Sequence, residues 1–406
     1  MNKSNVAFLN TTNKNIMLNK TEIVFENEND TQKEVPVGVE SRELICVGNV
    51  GKNTLKVQFS YKTTNEKYKI RVEPPIVVIK KGTAVEFEIY MRPNYSCHIN
   101  DKIVLVSVDI RKGVTSEIPI NVKATTQIST RLDPEELNEE KKIGEGSFGI
   151  VYKGIFRGNM VAIKKMKFTT DNQHSIDEFE SEVAMLDKFR CDYIVHFYGA
   201  VFVPHKMCMV TEFAQFGSLQ DLIKHKTKEE IETKLRVKML LDAAKGISYL
   251  HENGILHRDI KPDNILVLSL DVNEKVNAKL TDFGSARNVN MLMTNMTFTK
   301  GIGTPVYMAP EILRQEKYKK PADIYSFAMT MYEVFEWKEA YAREQFKYPW
   351  AIAEFVISGK RLQFNENIFK ECSDIIQNCW CQTPSERLSI ESVSQKLELL
   401  TTNITY

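Results

Sequence analysis

Apolar and polar side chains alternate with a period of two along residues 19 to about 125, and no other feature of the sequence constrains the fold as strongly. The stretch LKVQFSY places Leu55, Val57, Phe59 and Tyr61 on one face, as expected of a strand that is buried on one side. The stretches AVEFEIYM and EIPINVK continue the pattern, and turn signals separate the strands. About seven short alternating strands with regular turns predict a β-sandwich of immunoglobulin type.

The hydrophobic period changes after the charged stretch RLDPEELNEEKK, which has almost no apolar face. Short strands come next, and stretches of helical period follow. The stretch RVKMLLDAAKGISYLHENG carries Leu240, Ala244, Ile247 and Leu250 on one stripe and stops at Asn-Gly, a typical helix end. We therefore predict two domains, an all-β sandwich and an α+β domain. The predicted segments are a disordered, Asn-rich N-terminus (1–18), the sandwich (19–127), a linker (128–138), the α+β domain (139–397) and a C-terminal tail (398–406).

Charge and cysteine content exclude several classes of protein. The net charge of +1 argues against a protein organised around nucleic acid or an anionic membrane. Seven cysteines among 406 residues do not form the pattern of a disulfide framework, so we predict reduced thiols and a cytoplasmic location. The N-terminal sequence lacks the apolar run of a signal peptide. No apolar run of about 20 residues predicts a membrane span.

Three glycines, Gly144, Gly146 and Gly149, lie close together in IGEGSFGIVYKG. Glycines at this spacing let the backbone approach phosphates and offer N–H groups to them, and a flexible hairpin is the alternative. A dinucleotide-binding turn needs a helix directly after the glycines and an acid about 20 residues further on. Here β-forming residues follow, and Lys164 occupies the position of the acid. That interpretation is therefore rejected.

Four side chains in three further motifs suit phosphate chemistry. Lys164 in VAIKKM lies in an apolar β stretch, where it is either an edge-strand charge or a cation for phosphate oxygens. HRDIKPDN supplies Asp259 as a candidate general base and Asn264 as a candidate metal ligand, and TDFG supplies Asp282. Oxygen ligands suit Mg²⁺. The set predicts phosphoryl transfer, whose catalysis is mostly positioning and charge neutralisation.

These motifs resemble a eukaryotic-type protein kinase domain over residues 138 to about 397. In chain order they are G-x-G-x-x-G-x-V (144–151), V-A-I-K (161–164), H-R-D-x-x-x-x-N (257–264), D-F-G (282–284) and A-P-E (309–311). The resemblance implies a bilobal α+β kinase fold and protein substrates. It also implies ATP and Mg²⁺ as cofactors, with Mn²⁺ as the alternative metal.

The resemblance assigns roles to individual residues. Lys164 contacts the ATP phosphates and pairs with Glu182, which lies in the predicted helix IDEFESEVAMLDKF. Asp259 accepts or orients the proton of the substrate hydroxyl, and Asn264 and Asp282 hold the metal. The residues implied in nucleotide binding are Ile143, Gly144, Glu145, Gly146, Ser147, Phe148, Gly149, Val151, Ala162, Lys164, Thr211, Glu212, Ala214 and Leu266.

Within that set, Thr211 resembles the gatekeeper behind the adenine, and Glu212 and Ala214 offer backbone groups to the base. Two further implied roles are structural. Asp323 braces the catalytic loop from a buried helix, and Glu311 forms an ion pair with Arg387.

Lys261 and Thr304 favour serine/threonine specificity. In the kinase family a lysine at this place meets the transferring phosphate, and Thr304 in GTPVYMAPE steadies Asp259 and Lys261. A solvated loop charge is the alternative for Lys261. Stretches such as GSLQDLI and DIYSFAMTMYEVF resemble the tyrosine-kinase-like group, which includes dual-specificity enzymes. Dual-specificity or tyrosine activity therefore stays open.

The resemblance implies that Arg258 binds the phosphate of a phosphorylated activation segment, residues 282 to 311. We expect phosphorylation among Thr294, Thr297 and Thr299 to order this segment. An ordinary polar loop is the alternative.

The sandwich resembles the major-sperm-protein-like family through VPVGVESRELICVGNVGKNTLKVQFSY and YKIRVEPPIVVIKKG. Because a fold does not give a function, three roles stay open: a regulatory or docking module that binds a peptide or protein, a domain that lies against the kinase lobe, and a simple spacer. A pseudokinase scaffold would lack Lys164, Asp259 or Asp282, and all three are present. A kinase of small molecules is disfavoured by the long activation segment. The sequence predicts no oligomeric state.

Overall fold

The computed structural model describes residues 6–9, 15–27, 33–145, 149–166, 173–288, 305–342, 344–366 and 368–403. The chain forms two compact units. The first consists of Met1–Asn159, Ile163–Lys167 and Gly199–Met209, and the second of Met160–Ala162, Phe168–Tyr198 and Val210–Tyr406. The predicted order of an all-β part followed by an α+β part is confirmed.

The N-terminal part is built from two sheets, which we call the sandwich. Its strands are β1 (Ile16–Leu18), β2 (Glu22–Phe25), β3 (Ser41–Asn49), β4 (Leu55–Ser60), β5 (Tyr68–Glu73), β6 (Ile76–Ile79), β7 (Ala84–Pro93), β8 (His98–Asp109) and β9 (Thr115–Thr125). One sheet has the order β1-β3-β7-β5, and the other has the order β2-β9-β8-β4-β6. Strands β2 and β9 pair in parallel, whereas β8 pairs with β4 and β9 in antiparallel fashion.

The inward faces of the two sheets form the core that the alternation predicted. In β4, Leu55, Val57 and Phe59 are at most 7% exposed, and the residues between them are exposed. Phe59 meets Phe87 of the other sheet edge to face, with ring centres 5.1 Å apart. Because burying each such side chain contributes roughly 1.5–3 kcal/mol, a one-residue shift in register would be strongly disfavoured.

The sandwich begins earlier than the predicted residue 19, because β1 belongs to its first sheet. Ile16 and Leu18 are each 1% exposed, and Leu9 pairs with Leu18. The Asn-rich surroundings obscured these apolar residues in the prediction of a disordered start. Residues 1–5 and 10–14, which fall under the same prediction, lie outside the described residues.

The α+β part opens with a sheet whose order is β10-β11-β12-β14-β13. Its elements are β10 (Leu137–Glu145), β11 (Gly149–Phe156), β12 (Asn159–Met166), the helix α1 (Gln173–Leu186), β13 (Phe197–Val201) and β14 (Cys208–Glu212). The predicted linker (128–138) therefore ends early, since its last two residues begin β10. Leu132 within it is only 1% exposed, so this charged stretch still contributes an apolar side chain to the interior.

The rest of the chain is mainly helical. Its elements are α2 (Leu219–His225), α3 (Thr233–Glu252), β15 (Ile255–Leu256), β16 (Ile265–Val267), β17 (Ala278–Leu280), β18 (Arg287–Asn288), α4 (Pro310–Leu313), α5 (Lys320–Glu336), α6 (Pro349–Ile357), α7 (Lys370–Cys379) and α8 (Ile390–Asn403). Among the described residues, no helix is both long and apolar enough to cross a membrane.

Helix α3 buries the predicted stripe and ends where predicted. Leu240, Ala244, Ile247 and Leu250 are all 0% exposed. The helix closes at Asn253, and Gly254 follows in the left-handed region with φ of +69°, a conformation that glycine adopts without strain. This helix and the almost completely buried α5 form the support on which the loops of the candidate site rest.

The predicted C-terminal tail (398–406) is partly helix. Helix α8 continues to Asn403, and Leu400 is 7% exposed. Leu397 and Leu400 lie three positions apart on one helical face, and their burial extends the helix beyond the predicted boundary. Residues 404–406 lie outside the described part of the chain.

Candidate active site

The loop from His257 to Asn264 gathers three of the predicted site residues. The Asp259 carboxylate accepts hydrogen bonds at Oδ2 from Lys261 Nζ at 2.6 Å and from Asn264 Nδ2 at 3.0 Å. Asn264 Nδ2 also donates to the Asp259 carbonyl at 2.7 Å. A 3₁₀ turn that begins at Pro262 turns the chain back, as suits a proline at the first position of a helical turn. The loop thus holds one carboxylate between a cation and an amide.

Asp323, in the first turn of α5, braces this loop as predicted. Its carboxylate accepts hydrogen bonds from the backbone N–H groups of His257 and Arg258 at 3.1 and 3.0 Å. His251 Nε2 and the Tyr318 hydroxyl donate to it as well, at 2.9 and 2.8 Å. Burial by itself raises the pKa of Asp323, but the hydrogen bond and charge of His251 and the Arg258 N–H outweigh burial and lower the pKa below its ordinary value. The ionised carboxylate is therefore the form that holds the loop.

The segment that carries Asp282 is attached to the same loop. The Thr281 N–H donates to the Asn264 carbonyl at 3.0 Å, and His257 Nε2 donates to the Thr281 carbonyl at 3.1 Å. Phe283 is 2% exposed, and its ring centre lies 5.2 Å from that of His257. Asp282 itself adopts φ of +60°, a region that costs energy for a non-glycine residue. Such strain persists only where the surroundings fix the backbone.

Helix α1 brings Glu182 to this segment. Its apolar stripe is buried as predicted, with Phe179 at 0% and Val183 and Leu186 at 6% exposure. Glu182 Oε2 lies only 3.5 Å from the point where a Cβ on Gly284 would stand. The stripe therefore aims Glu182 inward, while Asp177 and Glu180 are exposed.

The predicted nucleotide-binding residues fall on three groups of elements. Ile143, Gly144 and Glu145 end β10, Gly149 and Val151 lie on β11, and Ala162 and Lys164 lie on β12. Thr211 and Glu212 end β14, Ala214 follows it, and Leu266 lies on β16. Gly146, Ser147 and Phe148 lie outside the described residues, as do Thr304 and the three threonines expected to be phosphorylated, Thr294, Thr297 and Thr299.

Gly149 is required by packing as well as by any phosphate. A Cβ at this position would stand 2.1 Å from the Lys165 carbonyl oxygen, a distance at which the backbone would have to move. The sequence interpretation assigned this glycine to phosphate approach alone, and the close contact with the neighbouring strand is a second reason for it.

Sequence reasoning missed an ion pair beside the predicted adenine-binding segment. Lys279 Nζ donates to Glu212 Oε1 at 2.7 Å, and both side chains are less than one-fifth exposed. Glu212 Oε1 also accepts from the His196 N–H. These contacts fix the end of β14. Nothing in the local sequence indicates them, because Lys279 lies 67 positions away.

Sequence reasoning also missed Glu333, a buried carboxylate on α5 that is 1% exposed. Its oxygens accept hydrogen bonds from the Tyr307 hydroxyl at 2.7 Å and the Ala340 N–H at 2.6 Å. Burial raises the pKa of Glu333 to about 7, and the nearby charges of Glu339 and Asp263 act in the same direction. Glu333 therefore ties Tyr307, which lies near the end of the predicted activation segment, to the helical core.

Glu333→Gln is expected to reduce the pH dependence of stability between about pH 4.5 and 7. In this window the folded chain holds a proton on Glu333 that the unfolded chain has lost. The wild-type free energy of unfolding therefore falls as pH rises, by on the order of 2–3 kcal/mol. The amide imitates the protonated carboxyl and removes this decline. Urea unfolding at pH 5 and pH 8, followed by tryptophan fluorescence, measures the effect.

The matched control is Glu354→Gln on α6, which removes an exposed carboxylate and should leave the wild-type pH dependence in place. An equal decline from pH 5 to pH 8 in Glu333→Gln and in the wild type would show that Glu333 does not titrate in this window.

The chain matches the family model described as the protein kinase domain over residues 137–397. It is 34% identical over 306 residues to the probable serine/threonine-protein kinase gdt2 of Dictyostelium discoideum, which covers 74% of this chain and 18% of that protein. It is 34% identical over 274 residues to the dual specificity protein kinase shkB of the same organism, covering 66% and 41%. The serine/threonine-protein kinase CTR1 of Arabidopsis thaliana is 33% identical over 276 residues, covering 65% and 32%.

The chain thus spans less than half the length of each of these relatives. The family match nevertheless covers more than half of the chain and includes all five motifs named above. The chain belongs to the protein kinase family.

Proposed function

We propose that this chain transfers the γ-phosphoryl group of ATP to serine and threonine hydroxyls of proteins. The observation that carries the proposal is the Asp259 carboxylate, held at 2.6 Å from Lys261 Nζ and at 3.0 Å from Asn264 Nδ2. A carboxylate that is oriented in this way accepts the hydroxyl proton as the oxygen attacks. The adjacent ammonium offsets negative charge on the transferring group.

The metal ligands in this proposal are Asn264 and Asp282. The amide nitrogen of Asn264 donates twice to Asp259, so its oxygen is the atom left to face a cation. A carboxylate and an amide oxygen fit Mg²⁺, which takes few protein ligands and holds phosphates. The ion, when bound, neutralises phosphate charge, and Mn²⁺ is the alternative. Lys164 binds phosphate oxygens, with Glu182 as its carboxylate partner.

The nucleotide base is assigned to a separate group of residues. Val151, Ala162 and Leu266 enclose the adenine, Thr211 is the gatekeeper, and Glu212 and Ala214 supply backbone groups. The residues that cover the phosphates run from Ile143 to Gly149. The Glu212–Lys279 ion pair supports this assignment, because it fixes the backbone that the base would contact.

Serine/threonine specificity rests on Lys261, whose ammonium lies against Asp259 instead of in solvent, with a side chain 19% exposed. Thr304 is proposed to steady the same pair. Dual specificity is the second candidate, and the similarity to the dual specificity protein kinase shkB favours it.

Purified chain incubated with ATP labelled at the γ-phosphate, Mg²⁺ and a generic protein substrate should yield phosphoserine and phosphothreonine. Chelation of the metal should abolish labelling, and Mn²⁺ in place of Mg²⁺ tests the alternative ion. Phosphotyrosine alone would overturn the specificity proposal and leave the kinase assignment intact. Phosphotyrosine beside phosphoserine would establish dual specificity.

We further propose that the sandwich is a regulatory or docking module for a peptide or protein partner and that the protein is cytoplasmic. The proposed domains are a sandwich from residue 16 to 127 and a kinase domain from 137 to the end of α8. Reduced cysteines support the compartment. Fluorescence microscopy of the tagged chain in its own cells tests it.

A further inference from the structure

Residues 129–133, which we call the strap, join the sandwich to the kinase domain and make two sets of backbone contacts. The first set is with the sandwich. Ser96, between β7 and β8, donates its N–H to the Arg131 carbonyl at 3.0 Å. The Ser129 N–H donates to Ser96 Oγ at 2.8 Å. Ser96 is 6% exposed, so these hydrogen bonds lie largely out of contact with water.

The second set of contacts is with β13, the last strand of the β10–β14 sheet. The Ala200 N–H donates to the Thr130 carbonyl at 2.7 Å, and the Leu132 N–H donates to the Ala200 carbonyl at 2.9 Å. Arg131 and Ala200 form a parallel bridge. The strap therefore adds to the open edge of this sheet, and it satisfies backbone groups that an edge strand otherwise exposes.

Side chains add to the contacts of the strap beside β13, and a separate ion pair joins the connection after β13 to the sandwich. Leu132 is 1% exposed, and the Arg131 guanidinium lies 4.2 Å from the centre of the Phe202 ring. Lys206, in the connection from β13 to β14, forms an ion pair at 3.0 Å with Glu66, between β4 and β5 of the sandwich. The sandwich, the strap and residues 199–209 belong to one compact unit.

Gly199 on β13 shows that this edge is shaped for the strap. Its φ is +150°, and a Cβ at this position would stand 2.3 Å from the Thr130 carbonyl oxygen and 2.8 Å from Leu132 Cδ2. A side chain therefore cannot coexist with the seated strap. Only glycine combines this conformation with so close an approach.

We infer that the strap is a regulatory element, and that its seating on β13 couples the sandwich to nucleotide binding. The strap fixes β13, and β13 is joined by a short connection to β14, which ends at Thr211 and Glu212. Those two residues lie in the proposed adenine-binding segment, so this inference rests on the proposed function. A partner that moves the sandwich pulls on the strap and changes the affinity for ATP.

The test compares Gly199→Ala with Gly158→Ala in the full-length chain. Gly158 is the matched control because it has φ of +81°, but no atom in the described part of the chain lies within 4 Å of an added Cβ. In Gly199→Ala, hydrogen exchange at the Leu132 and Ala200 amides should become at least about tenfold faster. The dissociation constant of ATP and its KM should rise about three- to tenfold. Gly158→Ala should change neither quantity at these sites.

Because ATP binding is measured directly, the result of this test does not depend on the proposed catalytic activity. A wild-type chain that binds ATP without transferring phosphate would contradict the proposed function, and the coupling would still be measured. Faster hydrogen exchange at the strap amides with unchanged ATP affinity would overturn the inference, because the strap would then only link the two domains. Unchanged exchange in Gly199→Ala would overturn the seating itself.

A second set of variants decides the matter if Gly199→Ala does not fold. Lys206→Glu places two acids together at exposed positions, where the core is not disturbed. It should speed exchange in the strap and weaken ATP binding about twofold to fivefold. The double variant Glu66→Lys/Lys206→Glu should restore both. No effect of the single variant, or no rescue by the double, would contradict the coupling.

Discussion

Asp259→Asn is expected to lower kcat for protein phosphorylation by about a thousandfold and to leave the affinity for ATP within about twofold of the wild type. The amide has the shape of the carboxylate, so its oxygen can still accept from Lys261 and Asn264 as Asp259 Oδ2 does. It cannot take up the proton of a serine or threonine hydroxyl. The loss should therefore appear in turnover and not in nucleotide binding, and steady-state kinetics together with equilibrium ATP binding measure the two separately.

The matched control is Asp271→Asn, in the exposed connection between β16 and β17. Among the described residues, the Asp271 side chain forms hydrogen bonds only within its own loop, where Oδ1 accepts from the N–H and side-chain amide of Asn273. The same change of charge there should leave kcat within about twofold, because nothing in the catalytic loop contacts it. A kcat of Asp259→Asn within tenfold of the wild type would show that Asp259 is not the proton acceptor.

The loop from His257 to Asn264 was the part of the candidate site whose residues were easiest to identify, because its contacts are local in sequence. Asp259, Lys261 and Asn264 lie within six positions, and the turn at Pro262 brings them together in a loop that Asp323 braces. Residues at this spacing lie close together in any fold that keeps the turn. The alternating strands of the sandwich were predictable for a similar reason, since a period of two follows from strand geometry alone.

Two contacts between distant parts of the chain were not predicted from the sequence. Glu333 meets Tyr307 across 26 positions, and Glu212 meets Lys279 across 67. Each of these four side chains carries a polar or charged group, and by itself it would be expected at the solvated surface. Only packing reveals that the four side chains are buried or half-buried together, and burial is what raises the pKa of Glu333 to about 7.

Short strands were missed because their stability comes from their neighbours. Strand β1 has three residues, too few for a period to be recognised, and it is held by pairing with β3. The strap is similar, since its one apolar residue, Leu132, lies among charged ones. In both places the backbone pairs with a strand that the sequence did not identify as a partner.

Arg387→Ala is expected to lower the free energy of unfolding of the kinase domain by about 3–5 kcal/mol. The Arg387 guanidinium binds both oxygens of Glu311 at 2.7 Å, and the two side chains are 0% and 8% exposed. It also donates to the Pro321 and Cys381 carbonyls at 2.7 and 3.0 Å. Removing the arginine leaves a buried carboxylate without its counter-charge, and the Pro321 and Cys381 carbonyls each lose one donor.

Tryptophan fluorescence during urea unfolding measures this change in the right part of the chain, because Trp337, Trp350 and Trp380 all follow the catalytic loop. The control is Arg157→Ala. Arg157 forms an exposed ion pair with Glu136, in which each side chain is 36% exposed, and its loss should cost less than about 1 kcal/mol.

A double variant separates two quantities: the net contribution of the ion pair to the free energy of unfolding, and the destabilisation caused by removing only one partner. Glu311→Leu with Arg387→Met removes both charges and fills much of their volume, so it should recover most of the stability that Arg387→Ala loses. If the double variant is as unstable as the single one, the two freed carbonyls, and not the unpaired carboxylate, account for the loss. If Arg387→Ala costs no more than Arg157→Ala, burial gives this ion pair no structural role. In the expected case, Glu311 joins the start of α4 to the turn before α8, and the pair fixes the end of the activation segment against the helical core.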